Sequence, residues 1–151
     1  MRFATRAVVV LTLAAQAAPQ AAPTGDVTLI PAARVTDAFT KGQPLVETGL
    51  YKVHASRREA AGMAEVHVRD TDIIYVLEGS ATIVTGGAVV DGKPIATDEI
   101  RGRSIANGVE HRLTKGDVFI VPNGVPHWFT SVDAPFLYYV VKATSAAGGT
   151  R

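Results

Sequence analysis

Two segments that each begin with glycine constrain this chain more than any other feature. The first, residues 62–79, reads GMAEVHVRDTDIIYVLEG, and the second, residues 116–131, reads GDVFIVPNGVPHWFTS. Glu65 and His67 alternate on a predicted strand, so both side chains leave the same face of a sheet. In the second segment a Pro-Asn-Gly-Val-Pro turn delivers His127 to the start of another strand. The two segments therefore predict two hairpins that carry side chains able to bind a metal.

The rest of the chain indicates a protein built mostly of short strands. Apolar stretches rich in β-branched and aromatic residues alternate with Gly, Pro, Asn or Asp from residue 45 onward. Strands are predicted at residues 45–56, 63–68, 72–78, 80–85, 109–113, 117–121, 127–132 and 135–143. About eight antiparallel strands in this length predict a jelly roll or small barrel, whose interior can hold one small ligand or metal site.

One short helix is predicted before these strands. Residues 27–30 are a short strand candidate, and residues 31–40 predict a helix because apolar residues recur at helical spacing. Pro31 suits its first turn, and a Lys-Gly pair suits its end.

Residues 86–108 are too polar and glycine-rich for a regular strand pair, so they predict a long loop. Loops of this length are often functional or lie at an oligomer interface, with a plain surface loop as the alternative. Within it, Arg101 and Arg103 alternate, and they are predicted to form structural ion pairs with Glu99 or Asp98 rather than to bind a carboxylate ligand.

The amino terminus predicts a secretory signal peptide at residues 1–17. Arg2 and Arg6 precede an uncharged apolar run, and a small-x-small pattern, Ala-Gln-Ala, follows it. The run is too short to span a bilayer, and a buried helix is the alternative. We expect a linker at 18–26, one domain at 27–144 and a disordered tail at 145–151. The mature protein is then periplasmic or secreted, without a membrane anchor.

Composition limits the partners and the chemistry. The chain has 151 residues, 47% of them hydrophobic, which suits one domain with one core. Loss of two arginines with the signal peptide changes the net charge from +1 to about −1, which argues against nucleic acid as a partner. The sequence has no cysteine, so disulfides and thiolate ligands are excluded and any metal must be held by nitrogen and oxygen.

These two segments, residues 62–79 and 116–131, resemble the two motifs of the cupin superfamily, in its small single-domain bacterial form. The first motif is G-x5-H-x-H-x3-4-E-x6-G, and its places are taken here by Gly62, Glu65, His67, Asp72 and Gly79, with a shorter spacing between Gly62 and Glu65 than in the motif. The second is G-x5-P-x-G-x2-H-x3-N, and its places are taken by Gly116, Pro122, Gly124, His127 and Ser131. The resemblance covers residues 45–143. It implies an all-β fold, the double-stranded β-helix or jelly-roll barrel, paired as a homodimer.

The resemblance also implies a divalent metal ion, Fe, Mn, Zn or Ni, held by Glu65, His67, Asp72 and His127. This chain departs from the family pattern at two of these places, where Glu65 replaces the first histidine and Asp72 replaces a glutamate. Two carboxylates and two imidazoles still suit a divalent ion. Because Asp is one methylene shorter than Glu, Asp72 either reaches the ion or orients an imidazole.

Three residues form the predicted catalytic set. Glu65 is a candidate ligand or base, and Tyr75 is a candidate to polarise a substrate, with core packing as the alternative for the tyrosine. His111 is a candidate proton-transfer group or extra ligand, with a packed, hydrogen-bonded histidine as the alternative. His54 is predicted to be structural, although it can also line the cavity. Lys142, at the end of the last strand, is predicted to be exposed to solvent.

These features favour a metal-dependent enzyme that acts on a small oxygenated organic molecule by dioxygenase, isomerase or lyase chemistry. The alternatives are a non-catalytic periplasmic module that binds a metal or small molecule, and a metal-free structural cupin. The sequence shows no Ser/His/Asp or Cys/His arrangement and no glycine-rich phosphate loop, which excludes nucleophilic catalysis as the interpretation.

Overall fold

A computed structural model describes residues 25–146, which form one short helix and eleven β-strands. The helix, α1, spans Ala32–Lys41. The strands are β1 (Gln43–Glu47), β2 (Tyr51–Arg58), β3 (Ala64–His67), β4 (Asp70–Thr85), β5 (Ala88–Val90), β6 (Lys93–Ala96), β7 (Glu99–Gly102), β8 (Ser104–Ala106), β9 (Val109–Thr114), β10 (Val118–Val121) and β11 (His127–Thr144). Nine strands join in one curled sheet, and β5 pairs with β8 in a second. The predicted all-β class with one short helix is confirmed.

Strands β4 and β11 form the backbone of the barrel as one long antiparallel ribbon. They contain 16 and 18 residues and pair from Asp70 opposite Thr144 to Thr85 opposite His127. The register shifts within β11 between Phe129 and Tyr138, as expected for β-bulges. The strands predicted at 72–78 and 80–85 are therefore one continuous, bulged strand, and so are the strands predicted at 127–132 and 135–143.

The bulges change which face of the ribbon is buried. In β4 the buried side chains are at even positions before Gly79, such as Ile74 and Val76, and at odd positions after it, such as Ala81 and Ile83. A one-residue shift in a strand moves every later side chain to the opposite face. The ribbon therefore keeps its apolar residues inside the barrel on both sides of the bend, where they form one core with Phe129, Phe136, Tyr138 and Val140.

Helix α1 covers the outer face of β2 and β11. Its Ala38 is fully buried, and the ring of Phe39 lies 5.0 Å from the ring of Tyr139, edge to face. Gly42 ends the helix in the left-handed conformation and donates its N–H to the carbonyl oxygen of Ala38. The helix predicted at 31–40 is confirmed to within one residue at each end. Among the described residues, no helix has the length and apolar character needed to cross a membrane.

One prediction near the amino terminus is wrong, and several others concern residues that the structure does not describe. The signal peptide at 1–17 lies outside the described residues, as do 18–24 of the linker and 147–151 of the tail. Residues 27–30, predicted as a strand, are irregular, and the side chains of Val27 and Leu29 are 98% and 85% exposed. Strand propensity depends on a neighbouring strand, and within 25–146 no strand pairs with this segment.

The predicted long loop at 86–108 is also wrong, because it contains β5 to β8. These strands have only three or four residues each, too few for an alternating pattern to be recognised. Gly102 lies where β7 packs closely against β5. A Cβ at this position would lie 2.2 Å from Cγ1 of Val89 and 2.7 Å from the carbonyl oxygen of Val90. Through the β7–β3 pairing, this segment becomes part of the barrel wall.

We expect Gly79→Ala to destabilise the protein more than Gly86→Ala. Both glycines have positive φ, +75° and +71°, so each alanine costs about 1–2 kcal/mol in backbone strain. A Cβ on Gly79 would also lie 2.5 Å from the carbonyl oxygen of Pro135, whereas one on Gly86 meets nothing within 4 Å. Urea unfolding should show a further loss of about 1–3 kcal/mol for Gly79→Ala. Equal losses in the two variants would contradict a tightly closed bend.

The ion pair between Lys52 and Asp70 predicts a dependence of stability on acid pH. Lys52 Nζ lies 2.6 Å from Asp70 Oδ2, and Thr144 donates its hydroxyl to Asp70 Oδ1 at 2.7 Å. Burial raises the pKa of Asp70, but the hydrogen bonds from Lys52 and Thr144 outweigh it, so the pKa falls below 3.8. The carboxylate therefore stabilises the fold above pH 3.8, and this contribution is lost as the pH falls through the folded-state pKa.

At pH 7 we expect Asp70→Asn to lower the free energy of unfolding by about 1–3 kcal/mol. The difference from the unmodified protein should narrow as the pH is lowered below 3.8, measured by urea unfolding at a series of pH values. Asp133→Asn is the control, because Asp133 is bound by Ser80 and Arg112 on an exposed surface, and it should cost less. If the difference in unfolding free energy between Asp70→Asn and the unmodified protein stays constant with pH, the stabilising role of the Lys52–Asp70 ion pair is contradicted.

Candidate metal centre

A cavity of about 260 Å³ lies within the barrel. Its wall is formed by inward-facing side chains of β2, β3, β4, β7 and β11. Apolar contacts come from Ile74, Phe129 and Val140, and the remaining lining is polar or charged. This volume is slightly below the range of pockets for drug-sized ligands, so the cavity suits a small molecule.

Three of the predicted metal ligands come together in this wall. One donor atom from each of Glu65, His67 and His127 can be chosen so that all lie within 4.8 Å of one another. The pairing of β3 with β11 places Glu65 directly opposite His127, and strand alternation places His67 on the same face as Glu65. All three side chains are buried. One carboxylate oxygen and two imidazole nitrogens fit a divalent transition metal, so these residues would hold the ion that the sequence predicts.

Asp72, the fourth predicted ligand, lies beside these three residues and is hydrogen-bonded to Lys142. Its Oδ2 atom is 3.5 Å from Nε2 of His67 and 3.8 Å from Nε2 of His127. Both of its oxygens accept hydrogen bonds from Lys142 Nζ, at 2.7 and 2.8 Å. The same Nζ lies 2.8 Å from Nε2 of His67.

The prediction that Lys142 is exposed to solvent is wrong. Its side chain is 13% exposed and points into the cavity. Lys142 is the direct cross-strand partner of Asp72, and it continues the inward-facing series that begins with Tyr138 and Val140 on β11. That alternation is a signal in the sequence that could have identified Lys142 as a cavity residue.

The charges around the site fix the protonation of two of its groups. Burial would raise the pKa of Asp72, but the charge of Lys142 and its hydrogen bonds outweigh this effect and lower the pKa from 3.8 to about 2. Asp72 is therefore a carboxylate across the neutral pH range. Burial lowers the pKa of His127, although the charge of Glu65 opposes this effect. The lowered pKa favours the neutral imidazole that a metal requires.

Two arginines compensate the buried charge of Glu65. Arg58 Nη2 lies 3.3 Å from Oε1 of Glu65, and Arg101 Nη2 lies 3.0 Å from Oε2. Arg101 also binds Glu99, so the predicted structural ion pair is confirmed for Arg101, whereas Arg103 pairs with Asp91 instead. Sequence reasoning missed the contact of Arg101 with Glu65, because it depends on the β3–β7 register.

Arg58 is itself held in place by aromatic neighbours. Its Nε donates to the hydroxyl of Tyr138 at 3.0 Å, and its guanidinium carbon lies 4.4 Å from the centre of the Phe129 ring. Burial raises the pKa of Tyr138, so this hydroxyl stays protonated at neutral pH. Sequence reasoning missed Arg58 as well, although His54, Ser56 and Arg58 alternate on β2 and all three line the cavity.

Tyr75 and His111, two of the three predicted catalytic residues, lie apart from the cavity lining. Tyr75 occupies an outward-facing position of β4 and is 45% exposed. His111 lies on β9, with Nε2 3.1 Å from the hydroxyl oxygen of Thr85 and its ring 5.2 Å from that of Phe119. Tyr75 points outward because the inward-facing positions of β4 before Gly79 are the even-numbered ones. For His111, the inner face of the barrel at β9 is occupied by core packing. Of the predicted catalytic set, only Glu65 reaches the cavity.

Comparison with known proteins gives one family and a set of structural neighbours. The profile of the cupin family matches residues 20–150 of the chain. No curated protein matches it. Among solved structures, a protein from Bacillus halodurans is similar at 12% identity and a TM-score of 0.55, with 85% of this chain and 89% of that chain covered.

Two further solved structures share the same architecture. A conserved protein with a double-stranded β-helix domain from Klebsiella pneumoniae has 21% identity and a TM-score of 0.52, over 82% of this chain and 95% of that chain. A cupin family protein with a double-stranded β-helix fold from Methanocaldococcus jannaschii has 16% identity and a TM-score of 0.50, over 82% of this chain and 94% of that chain. At these identities the likeness shows the fold, which is the predicted double-stranded β-helix. With a family match over nearly its whole length and an antiparallel barrel of this kind, the chain belongs to the cupin family.

Proposed function

We propose that this cupin binds a divalent metal ion through Glu65, His67 and His127 and acts as an enzyme on a small, oxygen-bearing organic anion. The observation that carries the proposal is the convergence of these three donors in the wall of a cavity of about 260 Å³. The cofactor (Fe, Mn, Zn or Ni), the export of the protein and its pairing as a homodimer belong to the proposal as the sequence predicts them.

The number of ligands supports an enzyme over a purely structural metal site. Structural zinc sites have four protein ligands, whereas catalytic metals keep positions open for substrate or water. Two histidines and one carboxylate are the ligand set of many non-haem iron oxygenases. When bound, the ion supplies Lewis acidity, and iron also supports reactions with dioxygen, so dioxygenase, isomerase and lyase chemistry are all compatible with the site.

The charge of the cavity supports an anionic substrate. Three cationic side chains (Arg58, Arg101 and Lys142) and three acidic ones (Glu65, Asp72 and Glu99) line it, so the lining charges balance. A divalent ion would leave the cavity with an excess of positive charge, which an organic anion compensates.

The residues of the chain have separate tasks in this proposal. Arg58 and Arg101 hold the Glu65 carboxylate from two sides, which fixes the orientation of its oxygens. The partly exposed guanidinium of Arg101 is also placed to bind a substrate carboxylate. Phe129, Ile74 and Val140 exclude water from one side of the cavity and strengthen these electrostatic contacts.

Metal content of the purified protein tests the ligand assignment. We expect the unmodified chain, expressed with its leader and purified without added metal, to contain about one ion per chain. Glu65→Ala and His127→Ala should lose most of it, with affinity reduced about 10- to 100-fold or more. His111→Ala is the matched control, since His111 is also a histidine near the barrel interior but does not line the cavity. Elemental analysis and calorimetric titration with the ion found would measure the difference.

Unchanged metal content in Glu65→Ala and His127→Ala would show that the ligand assignment is wrong. If the ligands are correct, turnover distinguishes an enzyme from a binding module. The metal-loaded protein should convert at least one member of a panel of small hydroxy and oxo acids, followed by NMR in air and without oxygen. Turnover only in air would indicate a dioxygenase, and turnover in both would indicate an isomerase or lyase. Binding of these acids without conversion would contradict the enzyme proposal.

A further inference from the structure

A lysine ammonium contacts one of the three proposed metal ligands. Lys142 Nζ is 2.8 Å from Nε2 of His67 and 2.7 and 2.8 Å from the two oxygens of Asp72. An ammonium has only hydrogen-bond donors, so its partner at 2.8 Å must accept through the lone pair of Nε2. Lys142 therefore uses the electron pair with which His67 would bind a metal.

Nε2 is the ring nitrogen of His67 that faces the other donors. It lies 3.7 Å from Oε2 of Glu65, whereas Nδ1 faces Glu99 Oε2 at 4.0 Å. A metal held together with Glu65 must then bind at Nε2. One lone pair cannot serve an ammonium N–H and a metal at the same time, so Lys142 and the ion are alternative partners of His67.

The position of Lys142 is fixed by the fold. Asp72 on β4 and Lys142 on β11 are direct cross-strand partners, and both side chains are largely buried. Withdrawal of the ammonium from both partners would leave the buried Asp72 carboxylate without its counter-ion, which is costly. Lys142 therefore stays with Asp72 and keeps this carboxylate from turning to an ion.

We infer that Lys142 sets the affinity and the ligand number of the metal site: it competes with the ion for His67 and keeps Asp72 out of the ligand set. This inference rests on the proposed function, because it takes Glu65, His67 and His127 as the ligands. Lys142 is thus a positioning residue, and the site is a three-ligand site because of the Asp72–Lys142 pair.

The chain provides a matched control for the charge of Lys142. Lys52 on β2 is the cross-strand neighbour of Lys142 on the other side of β11. It carries the same charge and is also paired with an aspartate, Asp70, at 2.6 Å. The structure shows no contact of Lys52 with His67 or Asp72. Lys52→Met therefore measures the effect of removing a neighbouring, aspartate-paired positive charge, whereas competition at His67 and the release of Asp72 are specific to Lys142.

The test is titration of the metal-free protein with Co²⁺, followed by calorimetry and by the visible absorption of the bound ion. We expect Lys142→Met, which keeps a long, unbranched side chain without its charge, to bind Co²⁺ about tenfold or more tightly. Its absorption spectrum should also change, because Asp72 becomes free to bind the ion. Lys52→Met should change the affinity by less than about fivefold and leave the spectrum unaltered.

The double variant Lys142→Met/Asp72→Asn removes the ion pair without changing the net charge. We expect it to keep only the part of the affinity gain that comes from freeing His67 and to regain the spectrum of the unmodified protein. An affinity gain in Lys142→Met no larger than that in Lys52→Met would overturn the inference. A double variant that retains the full gain and the new spectrum would also overturn it, because Asp72 would not be the added ligand.

Folding and the proposed function are tested separately. Far-UV circular dichroism and thermal unfolding would verify each variant, and Lys142→Gln replaces the methionine variant if that protein does not fold. Glu65→Ala is added to both the unmodified and the Lys142→Met backgrounds, where it should weaken Co²⁺ binding. If Glu65→Ala leaves binding intact in both, the proposed metal site is wrong. If it weakens binding in both while Lys142→Met has no effect, only the role of Lys142 fails.

Discussion

The site depends on the bend in the β4–β11 ribbon at Gly79. Asp72 pairs with Lys142 near one end of the ribbon, and Thr85 pairs with His127 at the other. In a straight ribbon these two pairs would be about 43 Å apart, at 3.3 Å per residue. In the barrel, Asp72 Oδ2 lies 3.8 Å from His127 Nε2. Closure of the barrel therefore brings together residues that local structure alone would keep far apart, and a shift of either bulge would change which side chains meet.

Balanced charge is the second condition for a polar site inside an apolar barrel. Glu65 is buried at 7% exposure, and it is compensated by arginines from β2 and β7 on its two sides. Strand β7 belongs to the glycine-rich segment at 86–108, which the sequence predicts as a loop. The segment thus has an electrostatic role: it brings Arg101 and Glu99 to the wall of the cavity.

Local signals predicted much of this protein, and long-range register decided the rest. The short strands, the helix and the two spaced glycine motifs led to the correct fold, and Glu65, His67 and His127 were found because a two-residue alternation and a turn define them. Lys142 was placed wrongly because its orientation is set by pairing with Asp72, 70 residues earlier. Tyr75 was predicted to reach the cavity and does not, for a simpler reason. It lies at an odd position of a strand whose even positions, including Asp72, face inward.

The Asp72–Lys142 pair also has a consequence for how cupins are compared. Lys142 lies outside both sequence motifs, near the end of β11, while every proposed ligand lies inside them. If Lys142 acts as we propose, a single substitution at position 142 alters the metal chemistry of a lineage while its ligand residues and its barrel are inherited unchanged. Two cupins with identical motifs can differ in the number of groups that hold their metal, and the inward positions of the last strand are where such divergence would be recorded.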